Sequence, residues 1–158
     1  NTSLSQSPLS SPSVFNFWRP GCTPPGTTQL GQRTLVAPEF QIVDEVTVAS
    51  YVNAMQDIIQ NGVGQTPTGG SGRDVRSAYT AEIALTDTPS TLVDRMNSLL
   101  FYGQMSTTLR DRIIAGVTAV TIPTANGSNQ AAIDTARLNR ARTAVFLSMI
   151  SPEYLVQR

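Results

Sequence analysis

Histidine and lysine are both absent from this 158-residue sequence, and Cys22 is its only cysteine. Without an imidazole there is no Ser-His-Asp or Cys-His pair and no His-ligated metal. With one thiol there is no zinc cluster and no internal disulfide. No catalytic constellation, metal site or cofactor site is therefore expected. Charge is scarce as well: 14% of residues are charged, against the usual quarter. Eleven basic residues, every one of them Arg, balance eleven acidic ones. The missing lysine is read as codon bias of a GC-rich genome. A net charge of zero argues against a nucleic-acid partner, which calls for a basic excess on one face. No run of about twenty apolar residues occurs, so no membrane span is expected. The chain opens at Asn1 with no basic-then-apolar leader, and a piece of a longer protein is expected.

What is present is hydrophobic enough, at 40%, for one folded domain. Residues 1–43 read as a Ser- and Pro-rich strap. Pro8, Pro12, Pro20, Pro24, Pro25 and Pro38 forbid a long helix there, yet Val14, Phe15, Phe17 and Trp18 sit in their midst. An aromatic cluster in such a segment calls for a hydrophobic surface to lie on, and would otherwise form an exposed patch.

Residues 44–158 read as helical, with loops at 62–77 and 123–129. From Asp44 to Asn61, Val48, Tyr51, Val52, Met55, Ile58 and Ile59 recur at spacings of three and four, and Gly62 stops the helix. Ala78 to Leu85 is ambiguous between a helical turn and a strand. Thr88 and Pro89 then open a helix to about Tyr102, with Leu92, Val93, Met96, Leu99 and Leu100 inward and Gly103 closing it. Ser106 caps the next, lined by Leu109, Ile113, Val117 and Val120, which ends at Pro123 and the Asn126-Gly127 turn. The last spans Gln130 to Ile150, with Ile133, Leu138, Ala141, Val145 and Ile150 inward. Pro152 limits it, and Tyr154, Leu155 and Val156 read as a docked tail. The expected fold is all-α: an irregular array of about four helices behind a Pro-rich extended strap.

Several stretches are distinctive: Ser13-Val14-Phe15-Asn16-Phe17-Trp18-Arg19-Pro20-Gly21, Pro24-Pro25-Gly26-Thr27, Ala37-Pro38-Glu39-Phe40-Gln41-Ile42 and Tyr51-Val52-Asn53. Leu92-Val93-Asp94-Arg95-Met96-Asn97, Gly103-Gln104-Met105-Ser106, Ala144-Val145-Phe146-Leu147 and Ser151-Pro152-Glu153-Tyr154-Leu155-Val156-Gln157 follow. In this order they resemble the C-terminal part of the bacterial family called domain of unknown function 1800, over nearly the whole chain. The resemblance implies a large, mostly helical, exported protein, hence a periplasmic or extracellular setting. It places the family's His-bearing and acidic motifs upstream, so none carries over. Trp18 and Cys22 stand where relatives more often have Phe and Tyr.

Each candidate site has a plainer reading beside it. Glu39, Asp44 and Glu45 imitate an acid/base pair, but acids suit a helix start. Gly69, Gly70, Ser71, Gly72 and Arg73 could cradle a phosphate, yet no strand precedes them and no Lys-Ser/Thr follows. On the last helix Arg137 and Arg140 share a face, with Asp134 as an expected partner, while Arg142 points elsewhere. The ligand-binding candidates are Phe17, Trp18 and Arg19, whose rings could stack a sugar or planar ligand. The expected role is structural, with the chain's own N-terminal portion or another protein subunit as partner. The alternative is a non-catalytic pocket wall of an exported hydrolase or oxidoreductase whose reactive residues lie upstream.

Overall fold

A computed structural model of the chain describes residues 11, 13, 14, 17, 19–23, 32–36, 38, 41, 45–66 and 73–155, with only the backbone for 45 and 46. Among these residues the ordered elements are helices: α1 Glu45–Asn61, α2 Thr80–Ile83, α3 Pro89–Leu100, α4 Thr107–Ala119, α5 Gln130–Met149 and α6 Pro152–Leu155. Among the described residues there is no strand, and Val63 and Val75 form an isolated bridge. The all-α expectation holds. The chain divides into two compact units, residues 1–54 and 55–158, with the boundary inside α1.

In the first unit the described part of the strap is held by local hydrogen bonds. The Cys22 amide closes a turn on the Arg19 carbonyl at 3.1 Å, and the Gln41 amide donates to the carbonyls of Arg19 and Pro38. Val14, expected in the aromatic cluster, is 95% exposed. The Tyr51-Val52-Asn53 stretch lies within α1.

In the second unit α3, α4 and α5 pack on one another around Leu92, Val93, Met96, Phe101, Met105, Ile113, Val117 and Ala144. Leu92, Val93, Val117 and Ala144 are completely shielded from solvent. The longest helix, α5, buries Ile133, Ala136, Ala141, Ala144 and Ser148. These side chains are mostly small, so neighbouring backbones come close. A Cβ on Gly116 of α4 would stand 2.6 Å from Leu147 Cδ1 of α5. The larger residues expected inward on α5, Leu138, Val145 and Ile150, are only half-buried and flank this seam.

Several expectations about single residues need correction. Val48 on α1 and Leu99 on α3 are 50% and 55% exposed, because the apolar stripe on each helix is wider than the surface that covers it. Thr88 stands at the N-cap of α3 but its hydroxyl caps nothing. Thr86 is the buried threonine of that turn, donating to the Ile83 carbonyl at 2.7 Å. The ambiguous segment resolves as α2, a single helical turn. Pro152 does end α5, and also starts α6, a further short turn in which Leu155 is 52% exposed rather than docked.

The 62–77 segment is a loop closed at its neck. Val63 and Val75 exchange two backbone hydrogen bonds, at 2.8 and 3.1 Å. Gly62, at φ 83°, approaches the Val75 carbonyl so closely that a Cβ would collide with it.

Ile113→Ala or Leu92→Ala is expected to lower stability by about 2–5 kcal/mol through cavity formation. Leu99→Ala is expected to cost under about 1 kcal/mol, since half of that side chain already meets water. Urea titration of the three variants followed by far-UV circular dichroism checks both.

Candidate functional site

Three distinctive stretches of the second unit meet at one place. At the end of α3 the backbone turns through Tyr102 and Gly103, with φ of 54° and 79°. The amides of Phe101 and Gly103 both donate to the Asn97 carbonyl at 3.0 Å. The Asn97 side-chain oxygen accepts from the Met105 amide at 2.9 Å, so a single residue holds the helix end and the strand of chain that leaves it. Glycine fits the left-handed position at no steric cost, whereas Tyr102 adopts it with a Cβ and leaves its ring 83% exposed.

Ser106 follows at once. Its hydroxyl oxygen accepts from the Leu109 amide at 3.1 Å, as an N-cap should, and its own proton goes to Glu153 Oε1 at 2.5 Å. The Ser106 amide donates to Glu153 Oε2 at 2.9 Å. The Glu153 carboxylate thus sits at the N-terminus of α4, where the helix dipole favours negative charge. Beside it Tyr154 meets Phe101 edge to face, with centroids 6.1 Å apart at 65°. Asn97, Met105, Ser106, Glu153 and Tyr154 form one clasp joining α3, α4 and α6. The sequence marked these residues as distinctive but did not show that they touch.

The rest of the same α3 stretch is engaged too. Arg110 binds Asp94 through Nε and a terminal nitrogen, at 2.7 and 3.1 Å, and this hydrogen bonding holds the Asp94 carboxyl below its ordinary 3.8. Arg95 reaches back to Glu82 of α2 at 2.6 Å.

A second cluster receives the C-terminal end of α1, whose last carbonyls need donors. The Gly62 amide serves Ile58, the Tyr79 hydroxyl serves Ile59 at 3.2 Å, Arg142 serves Gln60 at 2.9 Å and the Arg73 amide serves Asn61 at 3.4 Å. Burial pushes the Tyr79 phenol above its ordinary 10.0, so it stays a donor at neutral pH. Arg73 adds bonds to the Gly62 carbonyl and to Asp57, at 2.7 and 2.5 Å. With its guanidinium so engaged, Arg73 ties the chain that follows the glycine-rich stretch back to the end of α1. The glycines expected to form the cradle, 69, 70 and 72, lie outside the described residues.

The arginines of α5 likewise serve architecture. Arg137 pairs with Asp87 at 2.8 Å and not with Asp134, because Asp87 projects from the neighbouring turn while Asp134 accepts from Gln130 on its own helix. Arg140 donates to the Val120 carbonyl at 2.7 Å and the Thr86 carbonyl at 2.9 Å. It thereby caps the end of α4 and ties the turn before α3.

Of the ligand-binding candidates, Phe17 is half-buried in a turn and Arg19 is exposed, its carbonyl engaged as above. Trp18 lies outside the described residues, as do Phe15, Glu39 and Asp44. Cys22 is a free, half-buried thiol. Among the described residues no three of His, Cys, Asp and Glu group as metal ligands would.

Residues 1–156 match the model of the family described as "Protein of unknown function (DUF1800)". No curated protein and no solved structure matches the chain.

Ser106→Ala is expected to cost about 1 kcal/mol as a lost N-cap. A Ser106→Ala/Glu153→Gln double-mutant cycle followed by thermal unfolding is expected to show coupling between the two, and strict additivity would deny the clasp. The pH dependence has a definite sign. A carboxyl held low in the folded state contributes stability above its unfolded value near 3.8, and that contribution disappears as pH falls through the lower folded value. Asp94→Asn should therefore flatten the acid limb of Tm against pH while leaving its shape above pH ~5 unchanged.

Proposed function

We propose that this chain, which belongs to the DUF1800 family of proteins of unknown function, is a structural and interaction module. In this reading it is the helical C-terminal portion of a larger exported bacterial protein, held against that protein's own N-terminal portion or against another subunit. Its setting is then the periplasm or the cell exterior.

The observation that carries the reading is the use made of the distinctive residues. Asn97, Ser106 and Glu153 bind backbone amides or one another, and Asp94, Arg95, Arg110 and Arg140 bind across helices. Groups of this kind in an active site would be aimed at a shared open point, where a reacting atom could sit. Here they join α2, α3, α4, α5 and α6. An interaction role also accounts for the end of α3, where a left-handed Tyr102 presents its ring to solvent near the exposed Leu99. Aromatic side chains are enriched at protein interfaces relative to the rest of the surface.

The test is to place a specific protease site just before residue 1 in the larger protein, cut it, and run the product on a native sizing column. Co-elution of the two pieces in equal amounts is expected. Release of residues 1–158 as a cooperatively folding monomer, or a cofactor bound against Phe17 and Arg19, would overturn the reading.

A further inference from the structure

Between the last two turns of α1 and the middle of α5 lies a cleft of about 330 Å³, lined by Gln56, Ile59, Gln60, Asn139, Arg142, Thr143 and Phe146. Its lining is mostly polar and carries one charge. Three side-chain amides and one hydroxyl face a single guanidinium, Ile59 and Phe146 supply an apolar wall, and no carboxylate is among the lining residues.

Arg142 is the one charged residue among those that line the cleft. Arg73, Arg95, Arg110 and Arg137 each have a carboxylate within 4.0 Å, whereas Arg142 forms no ion pair among the described residues. One terminal nitrogen is anchored on the Gln60 carbonyl at 2.9 Å, which fixes the plane of the group. Its Nε–H, like that of Arg137, is shielded from solvent and has no hydrogen-bond partner. A buried donor left unmet costs free energy, and the deficit is largest for a charged group. A carboxylate in the cleft meets the charge at the terminal nitrogen that the Gln60 carbonyl does not use, while the shielded Nε–H holds no ligand. The amides of Gln56, Gln60 and Asn139 and the Thr143 hydroxyl then suit the hydroxyl or amide groups of the same molecule. The volume admits a ligand of the size of one sugar ring or a dipeptide.

We propose that this cleft binds a small organic monocarboxylate bearing hydroxyl or amide groups, with its carboxylate on Arg142. Sugar acids and peptide C-termini share that chemistry. The site is independent of the structural role proposed above.

Calorimetric titration of the intact protein with four probes separates the outcomes: glucuronate, its neutral methyl glucoside counterpart, Ala-Ala, and Ala-Ala amide. Saturable binding of one carboxylate probe, absent for its neutral counterpart, is expected, and which probe binds tells sugar acid from peptide end. Asn139→Asp places a like charge opposite the ligand at an exposed position on α5 without changing shape, and should weaken binding roughly tenfold or more. Arg142→Gln should abolish it, with circular dichroism checking that α1 stays folded. Saturation by neither carboxylate, equal binding of the neutral probes, or affinity unchanged in Asn139→Asp would overturn the proposal.

Discussion

Close approach of backbones along α5 is the constraint from which the arrangement of the second unit follows. Ala141 and Ala144 are fully shielded, and a Cβ on Gly116 would stand 2.6 Å from Leu147 Cδ1 and oblige that side chain to shift. Small residues bring α3 and α4 near enough for Leu92, Val93, Ile113 and Val117 to fill the space beside the seam. Packing of this density transmits any change in volume directly to its neighbours. The same closeness puts the turns before α3 and after α4 within reach of long side chains on α5. Arg140 can therefore bridge two carbonyls that lie 34 positions apart in sequence, those of Thr86 and Val120.

Helix ends explain the choice of residue at these bridges. A helix leaves carbonyls unpaired at its C-terminus, and burial makes each one costly. This chain meets them with guanidinium groups, which carry donors in a rigid fork and keep their charge when partly buried. Arg142, Arg73 and Arg140 complete the ends of α1 and α4 in this way, and their positive charge opposes the negative pole of each helix. At the opposite pole, Glu153 completes the start of α4 through Ser106. Complementary charges thus mark both ends of α4.

This placement of charge bears on function. In a chain with few ionisable groups, most of those on the second unit are engaged in joining helices, and the exposed surface is left polar and weakly charged. Such a surface suits stable contact with another protein part better than electrostatic capture of an anionic polymer. Arg142 combines both features, with its guanidinium only partly engaged at a cleft lined by neutral donors and acceptors.

Helix positions were legible in the sequence because periodicity, Pro89, Gly62 and the Ser106 cap act over a few residues, and the distinctive stretches were enough to indicate the family. The inward face of α5 was not legible. Hydrophobic periodicity gives weight to Leu138, Val145 and Ile150, whereas Ala136, Ala144 and Ser148 are buried because they are small, a requirement set by the neighbouring helices. The partners of Arg137, Arg140 and Arg142 were equally hidden, since Asp87, Val120 and Gln60 come near only once the helices are packed. So too was the clasp: Ser106 could be read as a cap, but its second partner is 47 positions away. By itself the sequence determined fold class, helix boundaries and the absence of imidazole and of an internal disulfide, all properties of composition and short range. Which faces are buried and which charges meet was decided by tertiary structure, because both depend on distances between segments that the chain's order does not specify.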